Sequence, residues 1–139
     1  MANLNPYLSF DGRCEEAFNF YKEVFGGEFA HVGRFSEMPP QFPVSESDAN
    51  RIMHITLPIG GGTVLMGSDI FSESRKGFTI GNNFSVSIHV DSQKEADKLF
   101  AGLAKGGNIS MPLQQTFWGS YFGSLTDSFG VNWMISFGA

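Results

Sequence analysis

The stretch FSVSIHVDSQKEADKLFAGLAKGG, residues 84–107, predicts a strand, then a helix, then the end of that helix at a glycine pair. Alternating side chains from Phe84 to Val90 indicate the strand. Ser92-Gln93-Lys94-Glu95 has the capping-box pattern of a helix N-terminus. The helix has one apolar face, formed by Ala96, Leu99, Phe100, Leu103 and Ala104. Gly106-Gly107 ends it, because glycine accepts the left-handed conformation at a C-cap.

The stretch LNPYLSFDGRCEEAFNFYKEVFGG, residues 4–27, has the same order of elements. A strand from Leu4 to Phe10 precedes a helix from Arg13 to Phe25, and Gly26-Gly27 ends the helix. The apolar face of this helix consists of Cys14, Ala17, Phe18, Tyr21, Val24 and Phe25. Side-chain identity between the two stretches is negligible, so the repeat is one of element order.

Three further strands follow each helix. They are predicted at Glu28–Phe35, Arg51–Pro58 and Thr63–Ser68, and again at Ile109–Thr116, Tyr121–Thr126 and Val131–Phe137. The segment 36–50 carries three prolines and reads as a long loop, and 71–81 reads as a linker. We therefore predict one α+β domain over residues 1–139, with βαβββ modules at about 1–70 and 82–139.

Composition excludes several classes of protein. Apolar residues make up 42% and charged residues 17% of the 139, which excludes a disordered chain. The net charge of −5, with scattered Lys and Arg, argues against nucleic acid as a partner. No apolar run reaches the ~20 residues of a membrane span. The N-terminus has no signal-peptide pattern and the single cysteine, Cys14, fits a reducing compartment, so we expect a cytoplasmic protein.

A set of segments spread along most of the chain is similar to one known family. In order these are Pro6-Tyr7-Leu8-Ser9-Phe10, Glu16-Ala17, Phe20-Tyr21, His54, Leu65-Met66-Gly67-Ser68-Asp69, Gln115-Thr116-Phe117-Trp118, Phe122-Gly123, Thr126-Asp127-Ser128-Phe129-Gly130-Val131 and Trp133-Met134-Ile135. With the repeated element order, they resemble the PhnB-like branch of the vicinal oxygen chelate superfamily. That superfamily includes glyoxalase I, ring-cleaving dioxygenases and bleomycin-resistance proteins.

The resemblance implies a glyoxalase/bleomycin-resistance fold. In that fold the two modules form a cupped mixed sheet with the helices on the convex face. The resemblance also implies a homodimer, and a divalent metal in the cup that chelates two neighbouring substrate oxygens.

The metal positions that the resemblance implies carry no suitable ligand in this chain. They fall at Pro6, Met66, Ser85 and Met134. Divalent Zn, Ni, Mn or Fe needs imidazole or carboxylate there, whereas methionine thioethers suit Cu(I). We therefore predict no cofactor. The alternative is a divalent metal held by shifted ligands such as His54, Asp69 and His89.

The remaining candidates for a ligand site are polar or aromatic. Ser85, Ser87 and His89 alternate along one strand, and such a polar row favours a cavity wall. His54 could lie beside Met66 and Ser68, and one of Trp133 and Met134 should face the cup. The aromatic candidates are Trp118 and Tyr121, with Phe122 assigned to the core. His31 has no partner that the sequence identifies, and Asp127 reads as a turn-capping residue.

These features predict a metal-free protein that binds a small molecule in a cup-shaped cavity, with an undefined activity. One alternative is a metal-dependent lyase, isomerase or dioxygenase-type enzyme that uses the shifted ligands. Another is an antibiotic-sequestering protein of the bleomycin-resistance type, in which an acidic groove takes a cationic drug. Proteins like this one are sometimes labelled demethylubiquinone methyltransferases, but no glycine-rich strand-to-helix turn for S-adenosylmethionine is evident. The sequence leaves open whether any reaction is catalysed.

Overall fold

The computed structural model describes residues 2–138, which form eight strands and two α-helices. The first set is β1 (Tyr7–Phe10), α1 (Cys14–Phe25), β2 (His31–Arg34), β3 (Ile52–Gly60) and β4 (Thr63–Asp69). The second set is β5 (Val86–Val90), α2 (Gln93–Ala104), β6 (Asn108–Gln115), β7 (Ser120–Thr126) and β8 (Asn132–Gly138). Short 3-10 helices cover Phe35–Glu37 and Ser72–Gly77. The predicted βαβββ order is confirmed in both halves.

The chain divides into two compact units, Met1–Thr79 and Ile80–Ala139. We call β1–β4 with α1 module one, and β5–β8 with α2 module two. Each module has a four-stranded mixed sheet, in the order β1-β4-β3-β2 or β5-β8-β7-β6. In both sheets the first strand pairs in parallel with the last, and the other pairs are antiparallel. The predicted α+β fold class is confirmed.

In module one, α1 packs on one face of the sheet. The buried side chains between them include Leu8, Phe10, Phe18, Tyr21, Ile55, Leu57 and Leu65. Gly67 permits this packing, because a Cβ there would lie 2.6 Å from Phe18 Cε1 and 2.9 Å from the Leu8 carbonyl oxygen. The helix therefore sits closer to the sheet than any side chain at position 67 would allow.

Module two repeats this arrangement with different residues. Its buried side chains include Ala96, Leu99, Phe100, Leu103, Leu125, Trp133 and Ile135. Gly123 takes the part that Gly67 has in module one: a Cβ there would lie 2.7 Å from Phe100 Cε2. In each module we call the sheet face that packs on the helix the helix face, and the opposite face the open face.

The two helices begin differently. The Ser92 hydroxyl accepts a hydrogen bond from Glu95 N, as a capping box requires, while the Glu95 carboxylate accepts from Asp91 N. Arg13 makes no side-chain cap for α1. Instead the Asp69 carboxylate, at the end of β4, accepts from Cys14 N at 3.0 Å. The first helix is thus capped by its own sheet, which its local sequence does not reveal.

Three predicted strands are longer than the observed ones, and one of them, β2, covers His31–Arg34 and not Glu28–Phe35. β1 begins at Tyr7 and not at Leu4, and β5 begins at Val86 and not at Phe84. Pro6 has no N–H to donate, although its carbonyl accepts from Met66 N at 3.1 Å. Pro6 and Ser85 therefore lie outside the strands in which they were predicted.

Candidate functional site

The strand register places one row of side chains across the open face of module one. Tyr7 pairs with Met66, Met66 with Thr56, and Thr56 with His31. In the neighbouring row, Ser9 pairs with Ser68 and His54 pairs with Gly33. The open face thus combines hydroxyl and imidazole groups with one thioether.

His54 is the centre of a hydrogen-bonded group on this face. Its Nδ1 lies 3.3 Å from the Tyr7 hydroxyl, and its Nε2 lies 2.9 Å from Thr56 Oγ1. A neutral imidazole donates from one nitrogen and accepts at the other, so one of the two hydroxyls must donate to it. His54, Met66 and Ser68 therefore share the open face, and Tyr7 and Thr56 join them without having been predicted.

His31 lies beside His54, with ring centroids 5.6 Å apart. Its ring lies over Gly33, where a Cβ would be 3.1 Å from His31 Cε1. The sequence names no partner for His31, because the contact depends on the register of β2 against β3. The available signal was the glycine two residues after a strand histidine, since glycine in a strand often marks a close approach.

The open face of module two has the same row with different residues. Ser87 pairs with Met134, Met134 with Ser124, and Ser124 with Met111. The Ser124 hydroxyl is 2.8 Å from that of Ser110. The expectation that only one of Trp133 and Met134 faces away from the helix is confirmed, because Trp133 is fully buried.

His89 extends this polar face. Its Nδ1 lies 3.3 Å from Ser136 Oγ, and its pairing partner along the parallel ladder is that same serine. Ser87 and His89 therefore form a polar row, as predicted. Ser85 lies before the start of β5 and is exposed, so it is not part of the sheet.

The structure exchanges the faces that were predicted for Tyr121 and Phe122. Tyr121 pairs with Phe137, and its hydroxyl donates to the Asp97 carboxylate on α2 at 2.5 Å. This hydrogen bond, with burial, raises the pKa of Tyr121. Phe122 instead pairs with Ser136 on the open face. Assigning Phe122 to the core was wrong, because strand alternation decides the face and the sequence did not fix its phase.

Trp118 borders the open face of module two. Its ring centroid lies 5.9 Å from that of Phe122, and its side chain is half exposed. The neighbouring Phe117 is 96% exposed and packs edge-on against Trp118 with centroids 5.0 Å apart. These rings offer an apolar surface beside the serine and histidine groups.

The register also corrects two of the four positions at which the resemblance implied a metal ligand. Met66 faces the open side beside Tyr7 and not Pro6, and Met134 lies beside Ser87 and not Ser85. Phenol, thioether and serine hydroxyl do not form the imidazole and carboxylate set that a divalent metal needs. Within residues 2–138, no group of three or more His, Cys, Asp and Glu side chains is placed to hold a metal ion.

Asp69, one of the proposed shifted ligands, lies on the helix face. It is 4% exposed, and its two oxygens accept from Cys14 N at 3.0 Å and Ile52 N at 2.9 Å. It cannot join His54 on the open face, so this ligand set is wrong. Burial, with the nearby Asp69 carboxylate, raises the pKa of the Cys14 thiol, which is fully buried.

Asp127 has the structural function that the sequence indicated. Its Oδ1 accepts from Phe129 N at 2.8 Å and Val131 N at 3.0 Å, which holds the turn before β8. Its Oδ2 also accepts from Trp133 Nε1 at 2.8 Å, a contact that the sequence did not predict. Asp127 is therefore a capping residue and not a base.

Carboxylates are absent from both open faces within the described residues. Arg34 and Asp69 are the only charged residues in the strands of residues 2–138. Arg34 turns toward α1, where it forms an ion pair with Glu15 at 2.6 Å. The acidic residues that give the chain its negative charge lie on the helices, in loops and on the helix face.

With this geometry in place, comparison with known proteins identifies the family. The sequence profile of a family described as 3-demethylubiquinone-9 3-methyltransferase matches residues 2–136. The chain belongs to this family. It is also 33% identical to Protein YjdN of Escherichia coli (strain K12) over 141 residues, covering 96% of this chain and 93% of that protein.

Solved structures agree with this assignment. Protein PA1353 from Pseudomonas aeruginosa is 36% identical, with a TM-score of 0.84 over 99% of this chain and 98% of that one. A putative 3-demethylubiquinone-9 3-methyltransferase, PhnB protein, from Bacillus cereus is 28% identical, with a TM-score of 0.77 over 98% and 99%. A glyoxylase/bleomycin resistance protein/dioxygenase domain from Frankia sp. EAN1pec shares the fold, with a TM-score of 0.69 at 14% identity over 100% and 93% of the chains. The resemblance to the PhnB-like branch of the vicinal oxygen chelate superfamily is confirmed.

Proposed function

We propose that the chain binds a small molecule on the open faces of its modules and needs no metal to do so. The observation that carries this proposal is the Tyr7–His54–Thr56 group, which lies on the sheet face away from α1. A sheet face with mixed polar side chains is suited to contact a ligand that carries its own polar groups.

The apolar groups beside these polar ones support the same proposal. Ligand sites are mostly apolar with a few well-placed polar groups. Met66 supplies a thioether between Tyr7 and Thr56, and in module two Phe122 and Trp118 flank the groups of His89 and Ser136. Each open face thus offers both kinds of contact.

The residues at the chelate positions support binding without a metal. Tyr7 with Met66, and Ser87 with Met134, give no pair of hard or imidazole ligands. We derive no reaction step through a metal. The family description names a methyl transfer, but the residues of these faces support binding and suggest no such reaction.

Neither alternative has support in the side chains of the faces. The shifted-ligand metal site depended on Asp69, whose two oxygens accept hydrogen bonds from backbone N–H groups on the helix face. Sequestration of a cationic drug depended on an acidic groove. The open faces of residues 2–138 carry no carboxylate to supply one.

Thermal-shift screening with metabolites and antibiotics tests the proposal, after the protein has been treated with a chelator. A ligand at 100 times its Kd stabilises the folded state by about 2.7 kcal/mol, which is a measurable rise in Tm. We expect at least one compound to raise the Tm of the wild type and of Glu23→Gln, a control on the exposed side of α1. His54→Gln should abolish the rise.

Two outcomes would contradict the proposal. In one, no compound raises the Tm of the chelator-treated protein. In the other, the same compounds raise the Tm of wild type, His54→Gln and His89→Gln equally, which would put the ligand outside both open faces. Recovery of binding only after adding Mn, Ni, Zn or Fe(II) would contradict the metal-free part alone.

We further propose that the chain forms a homodimer in the cytoplasm. In support of an interface, β6 pairs on one edge only and exposes Ile109 and Met111. In support of the compartment, the one thiol is buried and free. No helix within residues 2–138 is long and apolar enough to cross a membrane. Light scattering that gives a monomer mass at micromolar concentration would contradict the dimer, and cell fractionation tests the location.

A further inference from the structure

The chemistry of the open face of module one restricts the ligand further. We propose that this face binds an anion, such as a carboxylate or phosphate group, and that binding is coupled to uptake of a proton by the His31–His54 pair. The inference rests on the proposed function, because it concerns the ligand of the same face.

Every polar group on this face can donate a hydrogen bond. The groups are the hydroxyls of Tyr7, Ser9, Thr56 and Ser68 and the imidazoles of His31 and His54. Among the described residues, the strands of module one carry one acidic side chain, Asp69, whose two oxygens are occupied on the helix face. A cation would lose hydration on this face without finding a counter-charge, whereas an anion would find several donors.

The His54 contacts show how a proton would change these donors. In neutral His54, one ring nitrogen must accept a hydrogen bond. One of the two hydroxyls, of Tyr7 or Thr56, therefore donates its hydrogen to the ring. Protonated His54 donates from both nitrogens, to the oxygens of Tyr7 and Thr56. Both hydroxyl hydrogens are then free to point at a ligand. Protonation therefore converts the group into one that presents only donors.

His31 gives a bound anion a second imidazole to contact beside His54. Its ring centroid lies 5.6 Å from that of His54, and two positive charges at that separation repel each other. The other titratable group that faces the pair from β1 is Tyr7, and the β4 residues on this face, Val64, Met66 and Ser68, are uncharged. An anion in contact with both rings offsets their repulsion, so its binding favours the charged pair. Histidine changes its charge in the neutral pH range, where this coupling is measurable.

Isothermal titration calorimetry tests the proposal on the full chain. The probes are benzoate and inorganic phosphate, with benzyl alcohol and benzylamine as neutral and cationic controls. Titrations with benzoate, which stays ionised at both pH values, are made at pH 6 and pH 8 in buffers of different ionisation enthalpy and report the number of protons that the protein takes up. We expect an anion to bind up to roughly tenfold more tightly per unit decrease in pH, with net proton uptake, and the two controls to bind weakly.

Variants locate the effect. His54→Gln and His31→Gln should each reduce the affinity for the anion and remove most of its pH dependence, and Glu23→Gln on the exposed side of α1 should change neither. Circular dichroism shows whether each variant is folded. Gly33→Ala keeps both histidines but crowds the His31 ring, so it should weaken the coupling between them.

Each remaining outcome overturns the proposal in a distinct way. If benzyl alcohol or benzylamine binds more tightly than both anions, and His54→Gln weakens it, then the face binds ligands but the anion class is wrong. If no probe binds, or if His54→Gln and His31→Gln both bind the anion as tightly as the wild type does, the proposed anion site does not exist. Anion binding without proton uptake would overturn the coupling.

Discussion

The two modules have the same order of strands and helix. Their helix faces are alike, whereas their open faces differ. Their helix faces match closely: Gly67 lies under Phe18 in module one, and Gly123 lies under Phe100 in module two. Their open faces differ: module one carries two neighbouring histidines, whereas module two carries one histidine with Phe122 and serines.

The difference follows from what each face must do. A helix face is packed to the density of a crystal, so its residues are restricted by shape. An open face contributes little to the core, so its side chains can vary without loss of the fold. The repeat is therefore visible on the helix face of each sheet, and the proposed ligand sites lie on the faces that differ.

The largest expected effect tests the equivalence of the helix faces. Gly67→Ala and Gly123→Ala should each lower the free energy of unfolding by about 3 kcal/mol, because the added Cβ would meet an aromatic ring and backbone atoms at 2.6–2.9 Å. Urea unfolding measures this. Gly77→Ala, where a Cβ would meet nothing within 4 Å, is the control and should change stability by less than ~0.5 kcal/mol. Equal stability of all three variants would contradict the close packing.

A buried carboxylate in each module gives the next effect. Asp127→Ala removes the acceptor of two backbone N–H groups and of Trp133 Nε1, and should cost about 2 kcal/mol. Asp69→Ala leaves Cys14 N and Ile52 N without their acceptor and should lower the free energy of unfolding by a similar amount. Comparable losses in urea unfolding would show that both modules depend on a buried carboxylate. If either variant is as stable as the wild type, the module concerned does not depend on its buried carboxylate.

An ion-pair network distinguishes module one from module two and gives a smaller, pH-dependent effect. Asp11 accepts from Arg75 at 2.7 Å and from Arg51 at 2.9 Å, and these hydrogen bonds lower the pKa of Asp11. Because the folded-state pKa lies below the unfolded value, the stabilisation is present above about pH 4 and is lost as the pH falls through the folded-state pKa.

Urea midpoints at pH 7 and pH 3 measure this term. Asp11→Asn should be less stable than wild type at pH 7, and the difference should shrink at pH 3. Asp91→Asn, at an exposed site after β5, is the matched control and should show no such dependence. A stability difference between Asp11→Asn and wild type that is larger at pH 3 than at pH 7 would contradict the lowered pKa of Asp11.

The smallest effect on stability is expected where the effect on binding is largest. His54→Gln should change the free energy of unfolding by less than ~1 kcal/mol, because it lies on the open face and its partners Tyr7 and Thr56 remain accessible to water. The same variant should abolish ligand stabilisation. A large loss of stability would mean that the group is structural, and the distinction between the two faces would fail.

Most of the fold could be predicted from local patterns. The capping pattern at Ser92 marked the start of the second helix, and the glycine pairs marked the ends of both helices. Asp127 was correctly interpreted as a turn residue. These features depend on neighbours within a few residues in the sequence. The cap of α1 was not found, because Asp69 comes from a strand that lies far away in the chain.

The site was predicted less well, because it depends on strand register. A shift of one residue turns every side chain to the other face of a sheet. This explains why Tyr121 and Phe122 were exchanged, and why Pro6 stood in place of Tyr7. His31 was overlooked for the same reason, since only the pairing of β2 with β3 brings it beside His54.

The most direct test of the account is an NMR titration of the imidazole resonances of the wild-type chain, which has three histidines. Benzoate is added at pH 6, and the amide signals of Phe18 and Gly67 on the helix face serve as the internal reference. The account predicts that the His31 and His54 resonances move together, with one apparent Kd, while the reference signals stay in place. Movement of the reference signals with no change at either histidine would contradict it.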